Sequence, residues 1–309
     1  MSVLVTVGIS FRNNENAIAN AVRSVFAQTV KDWELLLVDD GSSDRSVEIV
    51  RRVQDCRVRI FSDGVHRGLP HRLNELAAVA RGVLFARMDS DDVMHPERLA
   101  RQIRFLDSHQ SVDCVGTGAY VMEPGDEVIG RLDAGSIECC LKHPLCSVPF
   151  IHPTVTGRTQ WFRDNPYDEE FLRGQDFELW WRTAAASHFA VISDPLLFYC
   201  FTGGTDPWRY IEGRKYERRA LLRHGVSMVG GLRTGVLLTR SYLKSGVDAL
   251  ASSLGVNRYL ARRKYVALSG AEKTDARETL RNVLLVPIPG LDRPGQPESH
   301  MEPGRCPGC

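Results

Sequence analysis

The 309-residue sequence has no long apolar run and no excess of one charge. No stretch approaches the roughly 20 apolar residues that span a bilayer. The opening segment MSVLVTVGIS lacks the basic region and small-residue cleavage site of a signal peptide. A formal net charge of +1 gives no global reason to expect a nucleic-acid partner. The eight cysteines are scattered, which is typical of reduced thiols. These absences predict a cytoplasmic protein.

Short apolar runs alternate with helical patterns along the first part of the chain. The runs have the length of buried strands, and the segments between them carry apolar residues at helical spacing. Such alternation implies right-handed crossovers between parallel strands. The sequence therefore predicts an α/β fold with a mostly parallel central sheet flanked by helices, whose first four strands lie at residues 3–9, 33–38, 58–61 and 83–88.

Three acidic residues, Asp89, Asp91 and Asp92, follow the fourth run. At the carboxyl end of a buried strand they occupy the place where open α/β sheets bind ligands. Carboxylates this close repel one another unless a hard divalent cation, such as Mg²⁺ or Mn²⁺, lies among them. The pattern therefore favours a site for a metal and a diphosphate. The alternative is a solvated acidic turn, with Asp92 near the start of the helix that Pro96 opens.

The C-terminal part of the chain differs in composition from the sheet region. Its pattern is helical from Trp208 to about Leu285, and residues 209–264 contain 13 Lys and Arg against three acids, an excess of ten. One interpretation is a solvated face packed against the sheet. The alternative is docking at an anionic membrane surface, in which Leu232, Val236 and Leu243 act beside Arg233, Arg240 and Lys244. We expect a catalytic domain at 1–205, a basic helical region at 206–285 and a disordered Pro/Gly-rich tail at 286–309.

Four blocks of the sequence, in order, resemble the family 2 glycosyltransferases, inverting enzymes of the GT-A type. The blocks read VTVGISFRNN, ELLLVDDGSSD, FARMDSDDVMHPERLARQIRFL and FIHPTVTGRTQWF…NPYDEEFLRGQDFELWWR. One acidic triplet alone is weak evidence, whereas four ordered blocks over roughly residues 3–200 are strong. The resemblance implies a GT-A, Rossmann-like sheet, transfer from a nucleotide-diphospho-sugar to an acceptor hydroxyl, and a function in surface polysaccharide assembly.

The resemblance also implies roles on the donor side. Asp91, the last residue of the DxD triplet, would contact the metal, Mn²⁺ or Mg²⁺, with Asp89 beside the ribose or the metal waters. Asp40, next to Asp39, would recognise the nucleobase, since a carboxylate accepts the imide N–H of uracil. Ser10 would contact the base or ribose. Arg72 would lie near the base or diphosphate, unless it is a surface arginine of its helix. The expected donor is a UDP-sugar, with GDP- and dTDP-sugars as alternatives.

On the acceptor side the resemblance implies a general base, and Asp176 matches it. Gln175 stands where the family usually has glutamate. His152 would belong to an acceptor loop. Trp180, like Trp181, would stack on a sugar or lie in the core. The expected acceptor is a glycan or a lipid-linked sugar.

Two other functions compete with this interpretation. A sugar nucleotidyltransferase needs a glycine-rich loop after the first strand, and residues 10–14 contain no glycine. A degenerate nucleotide-sugar binding protein would lose its catalytic acids, whereas Asp91 and Asp176 are both present.

Overall fold

A computed structural model describes residues 3–123, 125–134, 150–201, 207–253 and 265–292. Its first half is a parallel sheet of four strands in the order β3-β2-β1-β4. The strands are β1 (Val5–Phe11), β2 (Trp33–Asp39), β3 (Val58–Ser62) and β4 (Leu84–Asp89). Each lies within about two residues of a predicted strand, so the predicted α/β fold is confirmed here.

Helices cover both faces of this half, which is why its central strands are apolar throughout. They are α1 (Ile18–Phe26), α2 (Ser46–Arg51), α3 (Leu69–Val79) and α4 (Arg98–Ser108). Alternate residues of β2 enter opposite cores, as the two-residue period of a strand requires. Leu35 and Leu37 pack in the cluster that contains α1, whereas Leu36 and Val38 pack with Leu73 of α3.

The other half of the sheet is mixed. Beyond β4 the order continues through β8 (Thr156–Arg158), β6 (Cys114–Glu123), β9 (Phe189–Cys200) and β5 (Val93–Met94), and β7 (Glu127–Leu132) pairs with β6. The β8 strand is antiparallel to both β4 and β6, whereas β9 is parallel to β6. A 3-10 turn at His152–Thr154 precedes β8, and helices α5 (Thr159–Asp164) and α6 (Gln175–Thr183) lie between β8 and β9.

Within residues 207–253 and 265–292, the described parts of the C-terminal region, the helices form two separate elements. Helices α7 (Pro207–Val229) and α8 (Gly231–Ser253) pack together as a hairpin. Across it, the guanidinium of Arg218 lies 4.5 Å from the ring centre of Tyr242. Helix α9 (Gly270–Leu284) instead packs on β7 and α1. None of the helices in the described ranges is long and apolar enough to cross a bilayer.

The chain after α9 returns to the sheet domain. Ile288 is fully buried in the main core, and Arg23 of α1 binds the carbonyl of Val286 at 3.0 Å and the carboxylate of Asp292 at 2.8 Å. The predicted tail boundary at 286 therefore falls before these packed residues, because a Pro/Gly-rich composition does not reveal one apolar anchor. The rest of the predicted tail lies outside the described residues.

Candidate active site

The loops that follow β1, β2 and β4 meet at one edge of the sheet. Strand register pairs Ser10 with Asp89 and Phe11 with Asp39. Asn14 joins the loops, since its amide side chain donates to Ser90 Oγ at 2.8 Å and its backbone N–H donates to Ser46 Oγ at 2.7 Å. The structure thus brings the predicted donor-side residues together at the carboxyl ends of the parallel strands.

Asp89, Asp91 and Asp92 form a tight acidic cluster in the turn after β4. Each contributes a carboxylate oxygen, and these oxygens lie within 4.8 Å of one another. Asp92 is 1% exposed, and its Oδ1 accepts the Cys200 N–H at 2.8 Å. Its buried Oδ2 has no hydrogen-bond partner among the residues that the structure describes. Burial and the charges of the other two acids raise the pKa of Asp92 well above its ordinary value.

The cluster fits a hard divalent cation. All of its donors are oxygens, the ligands that Mg²⁺ and Mn²⁺ prefer. A buried carboxylate oxygen without a partner is costly unless a cation or donor satisfies it. The alternative of a helix-capping turn does not match the structure, because α4 begins at Arg98 and its N-cap residue is Glu97.

Arg87 is a site residue that the sequence analysis missed. Its side chain is 2% exposed, and both of its terminal nitrogens donate to Asp89, one of them at 3.0 Å. Residues two apart on a strand point to the same face, so Arg87 lies beside the first acid of the cluster. The signal was present in the sequence as a lone arginine inside an apolar run, two residues before the acidic turn.

Asp40 holds the loop that precedes α3. Its carboxylate accepts the N–H groups of Arg67 at 2.7 Å and Gly68 at 3.1 Å, Arg72 Nε at 3.1 Å and, at 2.7 Å, a hydrogen bond with His66 Nδ1. Burial opposes the ionisation of Asp40, but these bonds together hold its pKa below the ordinary value. Its neighbour Asp39, 1% exposed, accepts the Ser42 N–H at 2.9 Å and the Ser62 hydroxyl at 2.8 Å.

Arg72 is not a surface arginine. It is 2% exposed and binds three carboxylates, those of Asp40, Asp63 and Glu75. Its side chain also donates to the carbonyl of Val65. The surface alternative is therefore wrong, because the helical spacing of this residue did not reveal the acidic loop that folds over it.

Asp176 lies in the first turn of α6, after Gly174 in the left-handed conformation (φ 64°). Asp176 is partly exposed to solvent, and its partial burial raises its pKa above the ordinary value. Its bond with the Phe177 amide and the positive charge of Arg87 act in the opposite direction, and the charge of Asp89 raises the pKa further. The charges of Arg87 and Asp89 thus act on the Asp176 carboxylate in opposite directions.

The other acceptor-side candidates are largely buried. His152 is 9% exposed and its Nε2 lies 2.9 Å from the Tyr167 hydroxyl; burial lowers its pKa well below the ordinary value. Gln175 is also buried. Trp180 is 2% exposed and packs against Phe150, Trp161 and Phe189, with ring centres 4.9, 5.8 and 5.5 Å away. Trp180 therefore lies in the core, the second of the two places expected for it. Trp181 is equally buried.

A Rossmann-like sheet with an acidic cluster at the carboxyl end of its fourth strand defines a protein of the GT-A type. Solved structures of this type share the fold. The crystal structure of S. aureus TarS 1–349 in complex with UDP matches with a TM-score of 0.56 and 18% identity, covering 77% of this chain and 70% of that one. The mannosyltransferase PcManGT from Pyrobaculum calidifontis, in complex with GDP-Man and Mn²⁺, matches with a TM-score of 0.57 and 16% identity, covering 90% and 85%.

The chain belongs to glycosyl transferase family 2, whose family model matches residues 6–171, more than half of the sequence. The match contains the acidic cluster and ends before Asp176. The putative glycosyltransferase EpsE of Bacillus subtilis is 28% identical over 188 residues, 58% of this chain and 66% of the relative. WfgD of Escherichia coli, a UDP-Glc:alpha-D-GlcNAc-diphosphoundecaprenol beta-1,3-glucosyltransferase, is 27% identical over 180 residues, 57% and 68% of the two chains. The chain therefore spans about two thirds of each relative.

Proposed function

We propose that this protein is an inverting glycosyltransferase that moves a sugar from a UDP-sugar to an acceptor hydroxyl. The carrying observation is the acidic cluster, in which a buried oxygen of Asp92 has no hydrogen-bond partner among the described residues, together with the Asp176 carboxylate, whose pKa is affected by the charges of Asp89 and Arg87. The names of two similar proteins support the choice of nucleotide, since WfgD uses UDP-Glc and TarS is bound to UDP.

Asp91, Asp89 and the Oδ2 atom of Asp92 would hold the divalent metal, Mn²⁺ or Mg²⁺. Bound there, the metal supplies Lewis-acid stabilisation of the charge on the departing diphosphate. Asp92, anchored through Oδ1 to the end of β9, fixes the turn that presents the other two acids. Ser10 and Asp39 complete the floor of the nucleotide site. Asp40 and Arg72 shape it by ordering residues 63–68.

In this proposal Asp176 is the general base for a single displacement. The acceptor oxygen attacks the anomeric carbon while its proton passes to the Asp176 carboxylate. The bond between that carbon and the diphosphate oxygen breaks, and its electron pair leaves with the nucleoside diphosphate. Attack opposite the leaving group inverts the configuration. A carboxylate whose pKa is raised by burial is a stronger proton acceptor than an exposed one.

Calorimetry of UDP, GDP and dTDP, with and without Mn²⁺, tests the donor site. We expect UDP to bind most tightly, and only when both Mn²⁺ and Asp91 are present. The Asp91→Ala variant removes the metal ligand, whereas Asp107→Ala removes an exposed acid of α4 as a matched control. Absence of metal-dependent binding in the wild type would contradict the proposal. Normal UDP-sugar binding without any transfer would instead favour the degenerate binding protein.

We also propose that the α7–α8 hairpin docks at an anionic membrane surface, which would bring the site to a lipid-linked acceptor in polysaccharide assembly. The exposed residues Leu232, Val236, Leu243, Val247 and Leu250 fall within an arc of about 60° on α8, at 100° per residue. This stripe lies opposite the side that carries buried Thr234 and Ser241. Arg233, Arg240 and Lys244 follow one of its edges, the arrangement of interfacial helices.

Some of the basic residues of the C-terminal region form ion pairs within the chain. Arg219 and Arg223 of α7 pair with Glu170 and Asp168 in the loop before α6, so they neutralise acids of the same chain. The membrane proposal therefore depends on the α8 row and the apolar stripe rather than on the total charge.

Cosedimentation with vesicles tests the docking surface. We expect binding to mixed phosphatidylglycerol/phosphatidylcholine vesicles at low salt, no binding to phosphatidylcholine alone, and loss of binding in Leu232→Asp/Leu243→Asp. Val83→Asp alters an exposed valine outside the hairpin and should bind normally. A wild type that ignores anionic vesicles would contradict the proposal. A concentration-dependent dimer abolished by the same double variant would show that a second copy covers the stripe.

A further inference from the structure

The loop before α6, residues 166–174, is bound on one side by α3. The side-chain amide of Asn74 donates to the carbonyl of Tyr167 at 2.9 Å, and its Oδ1 accepts the Tyr167 N–H at 2.8 Å. On the same helix, His71 Nδ1 lies 3.0 Å from a carboxylate oxygen of Glu169. Helix α3 thus fixes the first half of the loop.

Helix α7 of the hairpin binds this loop on the other side. Arg219 and Arg223 both pair with Glu170, and Arg223 also pairs with Asp168. The two guanidinium groups lie 5.3 and 6.0 Å from the ring centre of Phe171, which is fully buried. Because the ion pairs are exposed, they contribute little to stability. Their effect is to fix the loop between α3 and α7.

A buried charge joins α6 itself to α7. Glu178 is 0% exposed, and its Oε1 accepts Arg182 Nε at 2.8 Å and lies 3.1 Å from Nε2 of His224 on α7. The ring of Trp181 meets the ring of His224 edge to face, with centres 6.2 Å apart. A buried carboxylate is costly unless hydrogen-bonded partners surround it. His224 is a partner that α7 supplies, so this contact holds α6 against the hairpin.

The position of Asp176 depends on these contacts. Helix α6 has nine residues, too few for a helix to be stable alone. It packs through Trp180 on the aromatic cluster of the sheet domain and through Glu178 and Trp181 on α7. Asp176 lies on the same short helix, two residues before Glu178. Since a displacement of about 1 Å can cost about 10²-fold in rate, a small tilt of α6 would slow transfer.

We propose that Glu178 and His224 position the general base, so that the hairpin contributes to catalysis as well as to the proposed docking surface. Glu178 is a positioning residue, because it acts through Asp176 rather than on the reacting atoms. Arg219 and Arg223 serve the same purpose by holding the loop that leads into α6. The inference rests on the proposed function, which assigns the base to Asp176.

UDP release by the full chain with Mn²⁺ and water as the acceptor tests this proposal. The donors are UDP-glucose, UDP-galactose and UDP-N-acetylglucosamine, and the fastest is used for the variants. We expect His224→Ala to lower kcat about tenfold, while the Kd of UDP with Mn²⁺, measured by calorimetry, stays unchanged. His224→Gln keeps a hydrogen-bond donor for Glu178 and should retain most of the rate. His188→Ala is the matched control, since it removes an exposed histidine beside the Asp113 carboxylate, and it should leave kcat unchanged.

A double variant separates positioning from a purely structural role. Asp176→Asn already lacks the base, so adding His224→Ala should lower its residual rate by less than about twofold, because the two residues act through one group. A contact that only stabilises the fold would instead lower the rate by the same factor in both backgrounds.

If His224→Ala does not fold by circular dichroism, Arg219→Ala/Arg223→Ala alters exposed side chains and provides the same two comparisons. Equal losses in the two backgrounds, or a wild-type rate in both the histidine and the arginine variants, would overturn the inference alone. If Asp176→Asn keeps the wild-type rate, the assignment of the base fails, and the inference with it. A wild type that releases no UDP from any of the three donors would contradict the proposed function itself, on which the inference rests.

Discussion

The candidate active site and the α7–α8 hairpin differ in which side chains they bury: the site buries charged residues, whereas the hairpin exposes apolar ones. At the site Asp39, Asp40 and Arg72 are buried, and their polar groups are bonded to the protein. On α8, apolar side chains as large as Leu232 and Leu243 are exposed, at 89% and 69%. Burying an ion is costly without partners, and protein groups supply the partners of these three residues. A continuous exposed apolar stripe is instead typical of docking surfaces, and it is the basis of the membrane proposal.

Asp176→Asn is expected to have the largest effect of any substitution at the candidate active site. Loss of a general base costs about 10²- to 10⁴-fold in rate, so transfer should fall by that factor while UDP and Mn²⁺ binding stay normal. Transfer kinetics and calorimetry check the two parts. Asp164→Asn, on the neighbouring helix α5, is the control. An unchanged rate in Asp176→Asn would assign the base to another residue.

Trp180→Ala contrasts the core with the hairpin surface. Removing a fully packed indole should lower the free energy of unfolding by about 3–5 kcal/mol. Leu243→Ala, at an exposed site, should change it by less than about 0.5 kcal/mol. Urea unfolding followed by circular dichroism measures both. Similar values for the two variants would mean that the aromatic cluster of Phe150, Trp161 and Phe189 does not determine stability.

Asp40→Asn tests whether the site is ordered by its buried charge. Without the carboxylate, Arg72 and the amides of Arg67 and Gly68 lose an anionic acceptor, at a cost of about 2–4 kcal/mol in unfolding free energy at pH 7. The pKa of Asp40 is lowered in the folded state. Its contribution is therefore present above the unfolded pKa of about 3.9 and is lost as pH falls through the folded value.

Unfolding of wild type and Asp40→Asn at neutral and acidic pH checks this linkage, with Asp107→Asn as an exposed-acid control. We expect the difference between wild type and Asp40→Asn to shrink in acid. A difference independent of pH would show that the shape of the side chain, rather than its charge, holds residues 63–68.

The smallest expected effect is a displacement of the acidic limb of the pH–rate profile. Because burial raises the pKa of Asp176, protonation should remove the base at a pH above the ordinary aspartate value of about 3.9. The rate should therefore decline as pH falls through this raised pKa. A profile of kcat/KM against pH measures it, and a limb at or below the ordinary value would argue against burial of the base in the working enzyme.

Much of the fold was readable from the sequence, and the partners of its charged residues were not. The apolar run at 33–38 predicted β2 almost to the residue, since strand burial leaves a local pattern. The prediction that Asp89, Asp91 and Asp92 end a buried strand is confirmed. The sequence did not reveal the place of Arg87, because the burial of an ion depends on its partner in the fold. The pattern of a strand shows only the residues next to it in the chain.

The sequence by itself determined the parallel half of the sheet, the acidic cluster and the helical character of the C-terminal region, because each depends on residues close together in the chain. Only the tertiary structure decided that β8 separates β4 from β6, that Trp180 belongs to the core and that Ile288 returns to the sheet domain. The physical reason is the distance along the chain over which the interactions act. Hydrophobic periodicity records whether a residue is buried, whereas the group that buries it is chosen by contacts between distant parts of the chain.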